Sequence, residues 1–391
     1  MAIPEGEITR LPIPDPAPSA KEESRPGNLS ATKTKTARLL SLDAFRGLTI
    51  LLMLLVNNVA LDASTPKHLQ HAAWNGGVSL ADLVAPWFLL CVGVAIPFSA
   101  ASFARSGKPA WQYDLKVLKR GAMLILLGCL IDSSIANRPV FCLDVLQIIG
   151  LAYMVAALLY DLPLSRRMWM AGLMLVSYWA AIKFVPVPGI GAGVFEENRN
   201  FIAYLNATYL APFNLSGLTS IVPTGALVMI GAMVGDILRR RDREQTWTLA
   251  WLTIAGAAMT GGGIAWNASL AFNKAVWTPS YILLSAGTGT LVLAAFYLII
   301  DAQKWAKWSY PLVVLGANAI VAYVAPIMVK LWVLQRWHVG HSSTSVQQWW
   351  TDLLKAHLGN VPGGWTYTIV YIAVWWIILW QLYRRELFVR V

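Results

Sequence analysis

His71 lies in the segment Gln70-His71-Ala72-Ala73-Trp74-Asn75-Gly76, and a carboxylate follows in Ala81-Asp82-Leu83-Val84-Ala85-Pro86-Trp87. Imidazole has an ordinary pKa of about 6.5, so it can take up and return a proton near neutrality. Apolar surroundings with one acid close by are the setting in which such a ring is tuned for catalysis. Asn57, in Val56-Asn57-Asn58, places a carboxamide at the end of the preceding apolar run. Taken alone, His71 reads as an ordinary interfacial histidine. With Asp82 and Asn57 in the same helix hairpin, it reads as part of an acyl-transfer site: a base, an acid to orient it and an amide to steady an oxyanion.

Other residues extend this reading. Asp43 and Arg46 in Ser41-Leu42-Asp43-Ala44-Phe45-Arg46-Gly47 are three apart and share a helix face. Arg46 either anchors the helix at the interface or meets an anionic donor from the cytosol. Lys274 lies in Asn273-Lys274-Ala275-Val276-Trp277, on the side away from the basic connections, and Asn318 interrupts an apolar run. Lys274 and Asn318 each also have a structural reading; the functional reading assigns Arg46, Lys274 and Asn318 to the donor, and Trp74 and Asn75 to the acceptor. No metal is expected: Cys91, Cys129 and Cys142 fall in or beside apolar segments without CxxC spacing and read as packing residues. Gly261-Gly262-Gly263 has no following Lys-Ser or Lys-Thr, so it reads as a helix end rather than a phosphate loop.

The elements that must hold these groups are membrane helices. Of 391 residues, 57% are hydrophobic and 13% charged, against about 25% charged in soluble domains. Apolar runs recur from 48–60 through 365–382, and most approach the roughly 20 residues that span a bilayer as helix. The expected fold is an all-α polytopic bundle of about ten transmembrane helices. The net charge of +11 is concentrated in alternate connections, such as Lys116, Lys119 and Arg120, then Arg239, Arg240, Arg241 and Arg243. That asymmetry argues against nucleic acid and places both termini in the cytoplasm. All five histidines then fall on the outer side. Residues 1–38 are polar and Pro-rich and are expected to be disordered, leaving 39–391 as the membrane domain. The absence of an apolar h-region argues against a cleaved signal peptide.

The motifs, in order, resemble the family of the lysosomal heparan-α-glucosaminide N-acetyltransferase. The matching stretches are Ser-Leu-Asp-Ala-Phe-Arg-Gly (41–47), Val-Asn (56–57), His-Ala-Ala-Trp-Asn-Gly (71–76), Asp-Leu-Val-Ala-Pro-Trp-Phe (82–88), Asn-Lys-Ala-Val-Trp-Thr-Pro-Ser (273–280) and Gly-Ala-Asn-Ala-Ile (316–320). The resemblance implies transfer of an acetyl group from cytosolic acetyl-CoA, as donor substrate, to an amino sugar across the membrane. It also implies that His71 is the active-site histidine, as base or transient acyl carrier, with Asn57 beside it. Asp144-Val145-Leu146-Gln147-Ile148 stands where relatives commonly have Gly-Val-Leu-Gln-Arg, and Asn214 stands where an acidic residue is usual. With no counterpart here to the large luminal N-terminal portion of the lysosomal enzyme, a bacterial inner-membrane relative is expected.

The implied partners are membrane lipid, an acyl-CoA and a sugar or glycan acceptor, with a homodimer compatible. Two rivals stand beside this reading. O-acyltransferases of surface glycans share the Leu-Asp-x-x-Arg-Gly opening, but place a histidine where this chain has Asn57-Asn58. A transporter or flippase would use Asp82 and His71 to bind substrate or relay protons. Its usual mark, interrupted helices in matching positions of two halves, is not evident in the sequence.

Overall fold

The computed structural model describes residues 39–74, 76–240, 242–340 and 343–389. The expected disorder of 1–38, together with Asn75, Arg241 and His341, lies outside the described residues. Among these residues the chain is all-helical, with no strand. The helices are α1 (Leu40–Asn58), α2 (Leu80–Ala104), α3 (Ala110–Ala136), α4 (Val145–Leu158), α5 (Leu164–Phe184), α6 (Phe201–Leu205) and α7 (Ile221–Arg239). They continue as α8 (Gln245–Asn267), α9 (Pro279–Phe296), α10 (Tyr310–Ala317), α11 (Ala319–Val329), α12 (Val346–Leu358) and α13 (Asn360–Arg384).

Among the described residues, six stretches are long and apolar enough to cross a membrane: α1, α2, α7 with its preceding turn, α8, α9 with its following turn, and α13. The pair α10 and α11, bent by 66° at Asn318, makes up to seven. The ten expected crossings therefore include segments that length and apolarity alone do not support. α3 carries Asp114, Lys116, Lys119, Arg120 and Asp132 within its length. α4 has 14 residues, about 21 Å of helix against the roughly 30 Å hydrocarbon layer.

Small residues let the central helices approach closely, which suits an interior without a hydrophobic drive between helices. A Cβ on Gly93 of α2 would sit 2.2 Å from the Val228 carbonyl oxygen of α7, and one on Gly231 of α7 would sit 2.6 Å from the Leu90 oxygen. Gly47 and Gly316 form the same kind of contact between α1 and α10. Phe45, Ile50, Leu90, Val94, Leu227 and Ile282 fill the core around these crossings.

The triple glycine does not end a helix. α8 runs through it to Asn267. A Cβ on Gly263 would meet the Leu284 nitrogen of α9 at 2.6 Å, so at this position the absent side chain serves helix crossing rather than termination. The expected outer segment after α11 contains α12, whose first turn is capped by Ser345.

Candidate active site

α2 starts at a capping box. The Ser79 hydroxyl accepts from the Asp82 N–H at 3.3 Å, and Asp82 Oδ2 accepts in return from the Ser79 N–H at 3.0 Å. The same oxygen accepts from the Ser79 hydroxyl at 3.0 Å and from the Ala72 N–H at 3.1 Å. Three donors thus fix the carboxylate and leave Oδ1 for the ring: His71 Nδ1–H donates to it at 2.9 Å. From α9, the Tyr281 hydroxyl donates to the Asp82 carbonyl at 2.5 Å and ties the turn to the bundle. The Asp82 side chain is 4% exposed and that of His71 53%, so the carboxylate is shielded while the ring opens to the cavity. With Nδ1 carrying the proton, Nε2 is left with its lone pair and is the basic atom.

Lys274 comes from the turn between α8 and α9. Its Nζ stands 3.0 Å from His71 Nδ1 and 3.1 Å from Nε2, and 3.9 Å from Asp82 Oδ1. Burial holds its amine below the ordinary lysine range, and the Asp82 charge opposes that shift only in part. The turn itself is tightly bonded. The Asn273 N–H donates to Thr278 Oγ1 at 3.0 Å, and Asn273 Oδ1 accepts from the Val276 N–H at 3.2 Å. Asn273 Nδ2 then donates to the Trp74 carbonyl at 3.0 Å, joining this turn to the His71 segment.

These groups line one cavity of about 700 Å³, within the range of roughly 300–1,000 Å³ usual for small-molecule sites. Asn57 and Trp74 are in its wall with His71, Asp82 and Lys274. Asn57 is exposed to it, while Asn58 turns inward and donates to the Leu54 carbonyl at 2.8 Å. The Trp74 indole N–H donates to the Phe195 carbonyl at 3.3 Å and packs on that ring at 5.2 Å. Asp144 and Glu197 also face the cavity. Burial, then the neighbouring Asp132 charge, raises the Asp144 carboxyl above the usual range.

Of the residues singled out in the sequence, His71, Asp82, Asn57, Trp74 and Lys274 meet at this cavity. Arg46 and Asn318 do not line it. Arg46 Nη1 donates to Asp43 Oδ1 at 3.5 Å and to the Gly316 carbonyl at 3.4 Å. Asn318, at the α10–α11 break, donates to the Leu387 carbonyl at 3.1 Å and accepts from the Val389 N–H at 3.0 Å, so its amide holds the C-terminal segment. Cys91 is fully buried packing, whereas Cys142 donates to Asp132 Oδ2 at 3.1 Å. Asn273, Ser79, Asp144 and Glu197 were not singled out for the site. The Ser-x-x-Asp spacing of 79–82 was the available signal for Ser79.

Residues 38–263 match the family model described as heparan-alpha-glucosaminide N-acetyltransferase, catalytic. The heparan-alpha-glucosaminide N-acetyltransferase of Homo sapiens is 25% identical over 426 residues, covering 90% of this chain and 59% of the relative. That of Mus musculus is 24% identical over 428 residues, covering 91% of this chain and 61% of the relative. The chain spans about three fifths of the length of these curated relatives. His71, Asp82, Asn57, Trp74 and Arg46 fall within the family match, and Lys274 and Asn318 lie beyond it.

Proposed function

The chain belongs to the heparan-alpha-glucosaminide N-acetyltransferase family, and from that premise we propose that it is a membrane acetyltransferase using an acyl-CoA donor. The acceptor is the amine or hydroxyl of a sugar or glycan on the exoplasmic side. The supporting observation is the His71 Nδ1 to Asp82 Oδ1 bond, made beside Lys274 in a cavity large enough for a sugar. In this reading the bundle crosses the membrane about ten times with both termini cytoplasmic, in the inner membrane of a bacterium.

His71 Nε2 takes the proton of the acceptor as its nitrogen or oxygen adds to the thioester carbonyl. The C–S bond then breaks, and the CoA thiolate leaves with that proton. In the covalent variant, Nε2 first adds to the carbonyl itself and passes the acyl group on. Asp82 holds the ring and stabilises imidazolium. Asn57 donates to the thioester oxygen as it becomes an oxyanion. Lys274 stands at the thioester end of the donor, and Arg46 meets the phosphates at the opposite end of α1.

The test uses membrane vesicles given labelled acetyl-CoA and a panel of amino and neutral sugars. His71→Ala is expected to lower transfer by on the order of 10²–10⁴-fold; unchanged turnover removes the mechanism. Solute flux without acyl-CoA-dependent product would instead favour a transporter.

A further inference from the structure

Beside the catalytic cavity lies a second one of about 310 Å³, room for on the order of ten water molecules. Met53, Asn57 and Tyr323 belong to the walls of both, so the two spaces are neighbours across α1 and α11. The second space is a groove with a polar rim and an apolar floor. Its rim carries Asn57 and Asn58 at the end of α1, and Lys330 and Gln335 in the turn after α11. Its floor includes Ile50, Leu54, Ala322 and Ile327. Ile50 lies about 10 Å below Asn57 along α1, and Ala322 about 12 Å below Lys330 along α11. That depth stops short of the middle of a hydrocarbon layer about 30 Å thick. At the end of α3, Ile135 lines the groove and is 58% exposed, so the groove reaches the apolar outer surface of the bundle.

Two groups on the rim point to a ligand. A lysine at a helix end ordinarily extends its amine to water at the membrane surface. Lys330 Nζ instead turns back and donates to the Asn57 carbonyl at 2.9 Å, with no carboxylate within ion-pair distance among the described residues. Asn58 is 7% exposed. Its Nδ2 donates to the Leu54 carbonyl at 2.8 Å, but its Oδ1 is buried without a donor. A buried acceptor left unmade carries a cost that a ligand's hydroxyl would remove. The groove thus offers a cation and an unpaired acceptor above apolar side chains, next to the cavity that holds His71. An amphiphile matches all of these: an apolar chain, an anionic link and a hydroxylated head.

We propose that this groove holds the lipid chain of the acceptor, so that the sugar acetylated at His71 arrives attached to a membrane lipid through a phosphate. Lys330 pairs with the phosphate, and Asn58 Oδ1 accepts from a hydroxyl beside it. The sugar ring then passes over Met53 into the catalytic cavity. The inference rests on the acetyltransferase reading above and adds the class of acceptor, a glycolipid of the outer leaflet.

The test places the parent in phosphatidylcholine nanodiscs with labelled acetyl-CoA and offers three acceptors. They are glucosamine 1-phosphate, glucosamine joined to farnesol through a phosphate, and farnesyl glucosaminide, which lacks the phosphate. The KM for the phosphate-linked lipid is expected to lie at least about tenfold below that for glucosamine 1-phosphate. Ile327→Trp, which fills the floor, is expected to remove most of that advantage while sparing transfer to glucosamine 1-phosphate. Partitioning into the disc alone would leave the variant with the same advantage as the parent. Lys330→Gln keeps a donor for the Asn57 carbonyl and is expected to erase a preference of about tenfold for the phosphate link over the neutral one. If Ile327→Trp does not fold, the Lys330→Gln comparison decides alone. Equal KM values for free and lipid-linked sugars in the parent, an undiminished lipid advantage in folded Ile327→Trp, or an unchanged link preference in Lys330→Gln overturns the inference and leaves the acetyltransferase reading intact. If the parent acetylates none of these acceptors and no sugar of the panel above, the acetyltransferase reading itself fails and takes the glycolipid with it.

Discussion

Lys274 Nζ lies at nearly equal distances, 3.0 and 3.1 Å, from the two ring nitrogens of His71. The lone-pair directions of those nitrogens diverge within the ring plane, and an in-plane amine equidistant from both would collide with the carbon between them. The amine therefore stands over the ring face. The Nε2 lone pair lies in the ring plane, so the amine exchanges a proton with it only after swinging toward the ring edge, a movement that leaves Asp82 on Nδ1. Its shift in proton affinity has a measurable consequence.

Burial lowers the Lys274 pKa in the folded state, from an unfolded value of about 10.4. Between the two values the unfolded chain binds the additional proton, so stability rises with pH through that window. Below the folded pKa the cost of burying the ammonium is fully present. Lys274→Met is expected to flatten this rise in Tm on the alkaline side of neutrality. A parallel slope in the parent and the variant would count against the shift. In the same variant, transfer is expected to fall by at least about tenfold, in line with loss of an acid–base partner.

Asp82→Asn keeps the shape of the side chain while removing the charge that stabilises imidazolium. It also allows the ring to settle in the wrong tautomer. The expected result is a kcat lower by on the order of 10²–10⁴ with KM little changed. A change confined to KM would make Asp82 a binding group.

Asn273 touches no point where the reaction occurs, but it joins the Lys274 turn to the backbone of Trp74. Asn273→Ala removes that tie and leaves the Val276 N–H without its acceptor. The expected cost is about 1–3 kcal/mol in stability, with a loss of kcat larger than the loss of folded protein. Transfer assays normalised to folded protein, beside thermal unfolding, separate the two effects.

Two glycines give a contrast in packing. Gly93→Ala places its Cβ against the Val228 oxygen, where the available 2.2 Å is far below contact. It is expected to destabilise by at least about 1–3 kcal/mol. A Cβ on Gly172 of α5 meets nothing within 4 Å, so Gly172→Ala is expected to gain about 0.5–1 kcal/mol. Thermal unfolding of the two variants checks both signs.

The sequence offered His71 or an outer-face cation as the partner of Asp82, because His71 precedes it by only 11 residues across one loop; the Ser79 cap that fixes the carboxylate was not singled out. Lys274 stood out as a cation on the unexpected side. Its position at the ring was not legible, because the two residues are 203 apart in the chain and meet only through the packing of α9 and the Asn273 tie. Helical character was readable from the apolar runs. The break at Asn318 was not, since Gly316-Ala317-Asn318-Ala319 looks like continuous apolar helix until the C-terminal backbone claims the amide. Gly261-Gly262-Gly263 misled for a similar reason: composition reports that a side chain is missing, and only the neighbouring helix reveals what occupies its place.

The glycine contacts between α2 and α7 also decide which parts of the molecule can move. With backbone against backbone at Gly93 and Gly231, the two helices have no slack in which to slide or roll and must travel together as a single board. Asp82 is mounted on that board. The opposite wall differs from one helix to the next: Met53 belongs to α1, itself held against α10 at Gly47 and Gly316, whereas Tyr323 belongs to α11, beyond the 66° break at Asn318. Asp82 thus stands on braced backbone, and Tyr323 on a helix that begins at a bend.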